Sequence, residues 1–420
     1  MNKVFTNTLL LSVLISPLLA TNGDNFISLG VASRAMGGTG IAHYSPGASA
    51  TGNPALITKA KGGEFTFGGT YLKPSVKVKT SDTGETNDLS ATSSSKENTT
   101  PYAALTNQLD NGFSIGGSMF GAAGMGTDWT EGAGAVDPSA GTIGLYSMKA
   151  SLTMLKISVP VAYQYNDFSF GVAPVMMFAT LGMSFISPTL GPVGEDPSSD
   201  TGLGIELGML YSYEPWGVGV GVVYHSPISL SYKNQISTIS KAFGYGSTGA
   251  NFSAFSDELE QPEEFGIGID WTKDAFSISA DYRRINWGHA AGYKDFNWED
   301  QDVYAVGAEY RIDALSLRLG YNYGKNPIKP SSDPTPVSSS SPATNGDVIN
   351  TFNHVMFPAI TQNHYTVGAG YQFNEAVSAD IALIYATSSE VTVSAQSVGL
   401  GEITVTNNQF AASAALNVIF

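Results

Sequence analysis

The sequence predicts an all-β fold: a 14-stranded antiparallel transmembrane β-barrel with an N-terminal plug inside its lumen. Three observations carry that prediction. From about residue 62 to the C-terminus, short segments alternate apolar with small or polar residues at period two, as strands with two unlike faces do. The connections between these segments alternate strictly between very short and long. Charged residues are only 13% of the 420 positions, where a soluble domain carries about a quarter.

Composition narrows the alternatives. A hydrophobic content of 42% is too high for a disordered chain. Beyond the first twenty residues nothing approaches the roughly 18 uninterrupted apolar residues that a spanning helix needs. Twenty Lys plus Arg against 36 Asp plus Glu give a net charge of −16, the wrong sign for a phosphate-backbone binder, so nucleic acid is excluded as a partner. The absence of cysteine removes thiolate metal sites, disulfides and cysteine nucleophiles together, and suits a chain that crosses an oxidising compartment unfolded.

Residues 1–20 carry one cation, Lys3, an apolar stretch centred on Leu9 to Ile15, Pro17 and a small residue, Ala20, before the polar Thr21-Asn22-Gly23-Asp24. This is the pattern of a secretory signal peptide. Its removal leaves 19 cations against 36 carboxylates, a net −17.

The strands follow in order. Phe265, Ile267, Ile269 and Trp271 share a face opposite Glu264, Gly266, Gly268 and Asp270. Leu315, Leu317, Leu319, Tyr321 and Tyr323 oppose Ser316, Arg318, Gly320 and Asn322. Short polar turns fall at Asp110-Asn111, Asn166-Asp167, Glu214 to Trp216, Lys273-Asp274, Asp313 and Asn374-Glu375. Long polar loops fall near 81–97, 121–149, 186–200, 234–262, 287–301, 325–363 and 388–402. Six turns and seven loops require fourteen strands, and an even count leaves both barrel ends on the turn side, as in bacterial outer-membrane barrels. A soluble sandwich would show the same alternation. Three features favour the membrane: a polar face of mainly Gly, Ser, Ala and Thr; aromatics near strand ends (Tyr163, Tyr165, Tyr211, Tyr213, Trp216, Trp271, Tyr310, Phe373); and a final strand ending in Phe420 after Phe410, Ala412, Ala414, Leu416 and Val418. That ending resembles the C-terminal signal read by the outer-membrane assembly machinery.

Residues 21–61, between the signal peptide and the barrel at 62–420, lack period two. They mix Phe26, Ile27, Leu29, Val31, Met36, Ile41, Leu56 and Ile57 with glycines and few charges, which favours a plug in the lumen over a disordered tail. The run Arg34-Ala35-Met36-Gly37-Gly38, the triplet Asn53-Pro54-Ala55 and the later Phe357-Pro358-Ala359-Ile360 before His364-Tyr365-Thr366-Val367-Gly368 resemble the OMPP1/FadL/TodX family of outer-membrane transporters of long-chain fatty acids and aromatic hydrocarbons. The resemblance implies a monomeric fourteen-stranded barrel in the Gram-negative outer membrane, gated by an N-terminal hatch. It further implies passive uptake of hydrophobic ligands, captured between outer loops, held in a lumen pocket and released sideways through a kink in strand three. Strand three, near Phe113 to Gly124, holds Gly116, Gly117 and Gly121, which suit either such a bulge or close packing against the plug.

The pleat places Lys156, Glu206, Asp270, Asp281, Arg283, Arg318 and Asp380 in the lumen, where pairing with one another or with the plug is the first expectation. Lys156 and Arg283 are the candidates to hold a ligand carboxylate. Phe243, Phe252 and Phe255, in the loop before strand eight, suggest a hydrophobic landing site or a small local core. Arg284 faces lipid near the outer rim, within reach of a lipopolysaccharide phosphate. The prolines of loop 325–363 predict an extended cover. No metal or other cofactor is expected: the acidic loops lack calcium-loop spacing, and Gly217 to Gly221 opens a strand without a phosphate-binding lysine. Catalysis is not expected either, because His225 and Ser226, as strand neighbours, point to opposite faces. The runner-up reading is a general porin for small polar solutes; a structural barrel or adhesin would leave the plug motif unexplained.

Overall fold

Turn chemistry sets one end of the barrel. Asn111, Asn166, Asp274 and Asp313 adopt φ of 64°, 52°, 53° and 50°, a left-handed conformation that Asn and Asp tolerate better than other residues with a β-carbon. The hairpins they close belong to a computed structural model that describes residues 21–47, 49–81, 89–137, 139 and 142–420. The expected signal peptide, residues 1–20, lies outside the described residues.

The first seven wall strands are β1 (Gly63–Ser81), β2 (Asn98–Gln108), β3 (Phe113–Met125), β4 (Lys149–Ser158 continued by Val161–Tyr165), β5 (Phe168–Ser187), β6 (Ser198–Tyr213) and β7 (Val218–His225). The other seven are β8 (Glu264–Lys273), β9 (Phe276–Ile285), β10 (Gln301–Ile312), β11 (Leu315–Gly324), β12 (Thr361–Gln372), β13 (Val377–Ser388) and β14 (Gly401–Ile419). Each pairs antiparallel with the next, and β14 pairs with β1 from Glu402↔Ser81 to Ile419↔Glu64, which closes the sheet. Closure leaves no strand edge facing lipid, where an unpaired backbone group has no water to bond.

Apolar side chains point outward. Phe265, Ile267 and Ile269 are exposed along β8 while Gly266 and Gly268 are buried, the reverse of a soluble sheet and the arrangement of a lipid-facing barrel. Two aromatic belts flank this band. The lower includes Phe168 against Tyr211 and Tyr213 against Trp216; the upper includes Tyr282 against Tyr304 and Tyr321 against Tyr365.

Several expected loops are partly ordered sheet. β3 runs on to Met125, Gly191–Gly194 extends the β5 hairpin, and Val391–Ala395 pairs with the top of β14. Loop 325–363 is not an extended cover throughout. Its second half folds as a helix, Asn345–Thr351, that continues into a wide turn, Phe352–Met356. Gly346 to Met356 are buried on every side there, and the prolines that suggested an extended cover stand at or before Pro342, upstream of the helix.

Residues 21–47 and 49–61 lie against the inner face of the wall, and the lumen-side glycines of the wall mark their track. A β-carbon on Gly320 would lie 2.1 Å from the Gly37 nitrogen, one on Gly208 would lie 2.0 Å from Asn53 Oδ1, and one on Gly171 would lie 2.4 Å from the Ala55 nitrogen. Gly37 itself has φ of +71° and its own β-carbon would meet the Tyr321 backbone at 2.7 Å, so only glycine fits on either side of that contact. Gly320→Val should therefore expel the N-terminal segment while the barrel still forms. The expected result is a folded, heat-modifiable band on a gel together with a steady conductance in planar bilayers that the parent protein lacks.

Candidate functional site

The N-terminal segment is tied to the wall by side chains that the sequence singled out. Arg34, on the short helix Val31–Ala35, is buried over the β14–β1 seam. Its Nε donates to the Ser28 carbonyl at 2.7 Å, its Nη1 reaches Thr70 of β1 and Ser413 of β14, and its guanidinium lies 4.7 Å from the Phe26 ring. The Gly37 amide donates to Thr366 of β12 at 2.9 Å. Asn53 accepts from the Ala55 amide at 2.9 Å and donates to the carbonyls of Ile41 and Met209, while Pro54 opens a 3₁₀ turn over Pro54–Lys59. The triplet is thus a capping device: Asn satisfies the turn's first free amide, and Pro needs no donor at that position.

A lumen cavity lies between this segment and the wall, with about 960 Å³ of atom-free space open to solvent. Phe26, Leu29, Ile41 and His43 line it from the segment; Lys156, His225, Glu264 and Arg283 line it from the wall. Apolar and cationic surfaces therefore meet in one chamber. Lys156 forms an ion pair with Glu206. Arg283 donates from Nη2 to the Gly38 carbonyl at 2.5 Å and keeps Glu264 at 3.9 Å. Asp281 accepts from the amides of Gly40 and Ile41 at 2.8 and 3.0 Å, and His43 Nδ1 lies 2.7 Å from Asp270. Lower in the lumen, Arg318 bridges Glu309 and Asp380 at 2.6 and 2.5 Å. His225 and Glu264, absent from the ligand-binding candidates, sit directly opposite each other on β7 and β8; the same pleat, two residues beyond Val223 and Gly266, places both on the lumen face. His43 and Phe26 carry no such signal, because no periodicity governs an irregular segment.

Strand three breaks at one of the three glycines that the sequence suggests. The register with β4 shifts between Gly121 and Ala123, so of the three glycines only Gly121 stands at the bulge. Gly116 and Gly117 pair regularly with Thr106 and Leu105 of β2. Gly116 accommodates the interruption of β4 at Val159-Pro160: its amide donates to the Pro160 carbonyl at 2.8 Å, and a β-carbon there would lie 3.1 Å from the Pro160 ring, whereas one on Gly117 would meet open space. Above Tyr102↔Phe120, β2 and β3 no longer pair. Instead Asn25 bridges Ala123, and the Gly124 amide donates to the Asp24 carbonyl at 3.1 Å. The N-terminal segment supplies the hydrogen bonds that β2 withholds, and Ala122, the bulged residue, lines the cavity.

Over the outer mouth the loops form an aromatic cluster. Phe243 stacks 5.2 Å from Phe185 and lies 5.8 Å from Phe352, Phe252 lies 5.9 Å from Tyr245, and Phe255 lies 4.9 Å from Phe296. All three are half-buried against this core. An apolar cavity beneath it is lined by Met125, Leu181, Tyr293, Phe296 and Trp298. Arg284 is engaged rather than free for a lipid phosphate: its guanidinium binds Asp300 at 2.9 Å and Asp302 at 3.0 Å.

Asp24 anchors the start of the segment beneath this cluster. It is fully buried, accepts from the Tyr293 hydroxyl and from Gln261, and burial pushes its pKa from 3.8 up to about 7. Because the folded value is raised, its contribution to anchoring is fully present below about pH 4 and is lost as pH rises through 7, a change on the order of 4 kcal/mol. A nitroxide at position 29 (Leu29→Cys) should gain a mobile component between about pH 4 and pH 7, and Asp24→Asn should remove that pH dependence. Electron paramagnetic resonance of the refolded protein in detergent checks both.

The family described as outer membrane protein transport protein (OMPP1/FadL/TodX) matches residues 25–338. A long-chain fatty acid transport protein of Escherichia coli O6:H1 (strain CFT073) is 24% identical over 414 residues, covering 86% of this chain and 85% of the relative. A Pseudomonas aeruginosa FadL homologue superposes with a TM-score of 0.69 at 15% identity, covering 94% of this chain and 99% of that one. The Pseudomonas putida toluene transporter TodX superposes at 0.66 and 17% identity, covering 95% and 100%. With its closed fourteen-stranded wall, this chain belongs to the OMPP1/FadL/TodX family of outer-membrane transport proteins and is not an enzyme.

Proposed function

We propose that the protein carries hydrophobic molecules with a polar or anionic end, such as long-chain fatty acids, through the outer membrane by diffusion. The observation that carries this reading is the lumen cavity, which joins apolar side chains to Lys156 and Arg283 and abuts the bulge at Ala122. Ligand gathers at the aromatic cluster of Phe243, Phe252 and Phe255, enters the cavity, and places its polar end against Arg283, whose present partner is a backbone carbonyl of the segment. Displacing that carbonyl loosens Gly38 and, with it, the Asp24 and Asn25 bonds to β3. The wall then opens where β2 and β3 have already parted, and ligand leaves sideways into lipid. The segment 21–61 is the gate, held by Arg34, Gly37, Gly38 and the Asn53-Pro54-Ala55 cap. The barrel acts as a monomer, is inserted by the outer-membrane assembly machinery through the strand ending in Phe420, and contacts outer-membrane lipid along its whole wall.

Relatives bearing this fold include a toluene transporter, and the small apolar cavity of Met125, Tyr293, Phe296 and Trp298 favours a second reading in which the ligand is a neutral aromatic. Arg283→Ala separates the two. It should weaken binding of a fluorescent long-chain fatty acid by roughly 10- to 100-fold, the worth of a charge-assisted hydrogen bond, and leave the matching alcohol nearly unchanged. Equal losses for both ligands, or none, would reject the carboxylate role. Deleting residues 21–40 should abolish saturable binding and raise conductance; a large steady conductance in the intact protein, without binding, would mean a porin.

A further inference from the structure

Residues 21–420 carry 19 cations against 36 carboxylates, yet three of those cations stand together on one lipid-facing strip. Along β1 the outward positions are Phe65, Phe67, Gly69 and Tyr71, and then, without transition, Lys73, Ser75, Lys77 and Lys79, all three lysines exposed. Register fixes their height. Tyr71 pairs with Ala412, Lys73 pairs with Phe410, and Phe410 pairs in turn with Tyr385 of β13. Tyr71, Phe410 and Tyr385 are the top of the apolar band here, so the ammonium groups lie at the headgroup level of the outer leaflet.

The register partners of Lys77 and Lys79 are polar and uncharged, while Lys73 stands beside Phe410. Thr404, Thr406 and Asn408 flank the strip on β14, and Ser90 and Thr92 flank Lys79 and Lys77 on the other side. Glu97, Glu390 and Glu402 stand at the edges of the strip, but no described carboxylate lies within ion-pair distance of Lys73, Lys77 or Lys79. Lys149, Lys325 and Lys329 by contrast each face a carboxylate. Like charges that make no ion pair repel one another, and a bound anion relieves that repulsion.

Directly below, the wall is grooved. Gly69, Pro101 and Ala414 leave a trough between the projecting Phe67, Tyr71, Leu416 and Ile381. Gly69 is four residues from Lys73, about 13 Å along the strand, so trough and cations are stacked as an acyl chain and its headgroup are. We propose that this face of β14, β1 and β2 is a binding site for the phosphorylated saccharolipid of the outer leaflet, lipopolysaccharide, with its phosphates on Lys73, Lys77 and Lys79 and an acyl chain in the trough. The arginine that the sequence offered for this purpose, Arg284, is already neutralised on the far side of the barrel, which leaves β1 as the phosphate-reading strand.

The test is native mass spectrometry of the full-length protein in detergent, titrated with diphosphorylated lipid A, dephosphorylated lipid A and phosphatidylglycerol. The parent protein should prefer diphosphorylated lipid A. The triple variant Lys73→Ala/Lys77→Ala/Lys79→Ala should bind it on the order of a hundredfold more weakly, at roughly a fivefold loss per lysine near a charged surface. A control of equal charge, Lys149→Ala/Lys325→Ala/Lys329→Ala, should bind as the parent does, and Gly69→Leu should weaken binding by filling the trough. Heat-modifiable gel mobility confirms that every variant is folded. Unchanged affinity in the β1 triple variant, equal loss in the control, or equal affinity of the parent for dephosphorylated lipid A or phosphatidylglycerol would each overturn the assignment.

Discussion

Every backbone amide and carbonyl that meets hydrocarbon must be paired within the protein, and the long β14–β1 ladder is where this chain meets that demand. The rest follows from closure. An even number of strands brings Gly63 and Phe420 to the same end, where they exchange two backbone hydrogen bonds at 3.1 and 2.8 Å. Arg34 of the N-terminal segment spans the same seam through Thr70 and Ser413, so the element that fills the barrel also braces its join. A fourteen-stranded circumference is wider than side chains alone can fill, since about eight strands is the size at which they do. The lumen must therefore hold water, ligand or more polypeptide.

Polypeptide fills most of it, and it does so by backbone contact. Gly171, Gly208, Gly307 and Gly320 leave no side chain between wall and segment, so the fit depends on main-chain positions and tolerates little displacement. Where the fit is looser the cavity remains, and charges that would be costly in isolation are distributed among partners: Lys156 on Glu206, Asp281 on two amides, Arg318 between two carboxylates. Above Tyr102 and Phe120, where β2 and β3 cease to pair, the segment enters the sheet through Asn25 and Asp24. Ligand cavity, wall defect and N-terminal segment therefore share a boundary, and a shift of any one is transmitted to the others through a few hydrogen bonds.

Strand number, turn positions, outward face and lumen residues were all legible in the sequence, because a strand between lipid and lumen enforces strict alternation and Asn and Asp mark the tight turns. Lys156, Glu206, Asp281 and Arg283 face inward for that reason alone. What alternation could not supply was which strand neighbours differ from regular pairing. Gly116 looks like a kink residue, yet it answers to Pro160 on the adjacent strand, and of the three glycines only Gly121 adjoins the bulge at Ala122. The helix at Asn345–Thr351 was masked by the prolines upstream of it, and the engagement of Arg284 by Asp300 and Asp302 depends on a loop returning from β9 to β10.

The sequence by itself determined that the chain is a membrane barrel with something irregular before its first strand, since both statements rest on local periodicity and its absence. The tertiary structure decided how that irregular segment lies against the wall, which cations meet apolar surface in one cavity, and where the wall parts. Those are contacts between residues hundreds of positions apart, such as Arg283 with Gly38 or Thr366 with Gly37, and no periodicity along the chain encodes the path by which a segment without repeats crosses a lumen.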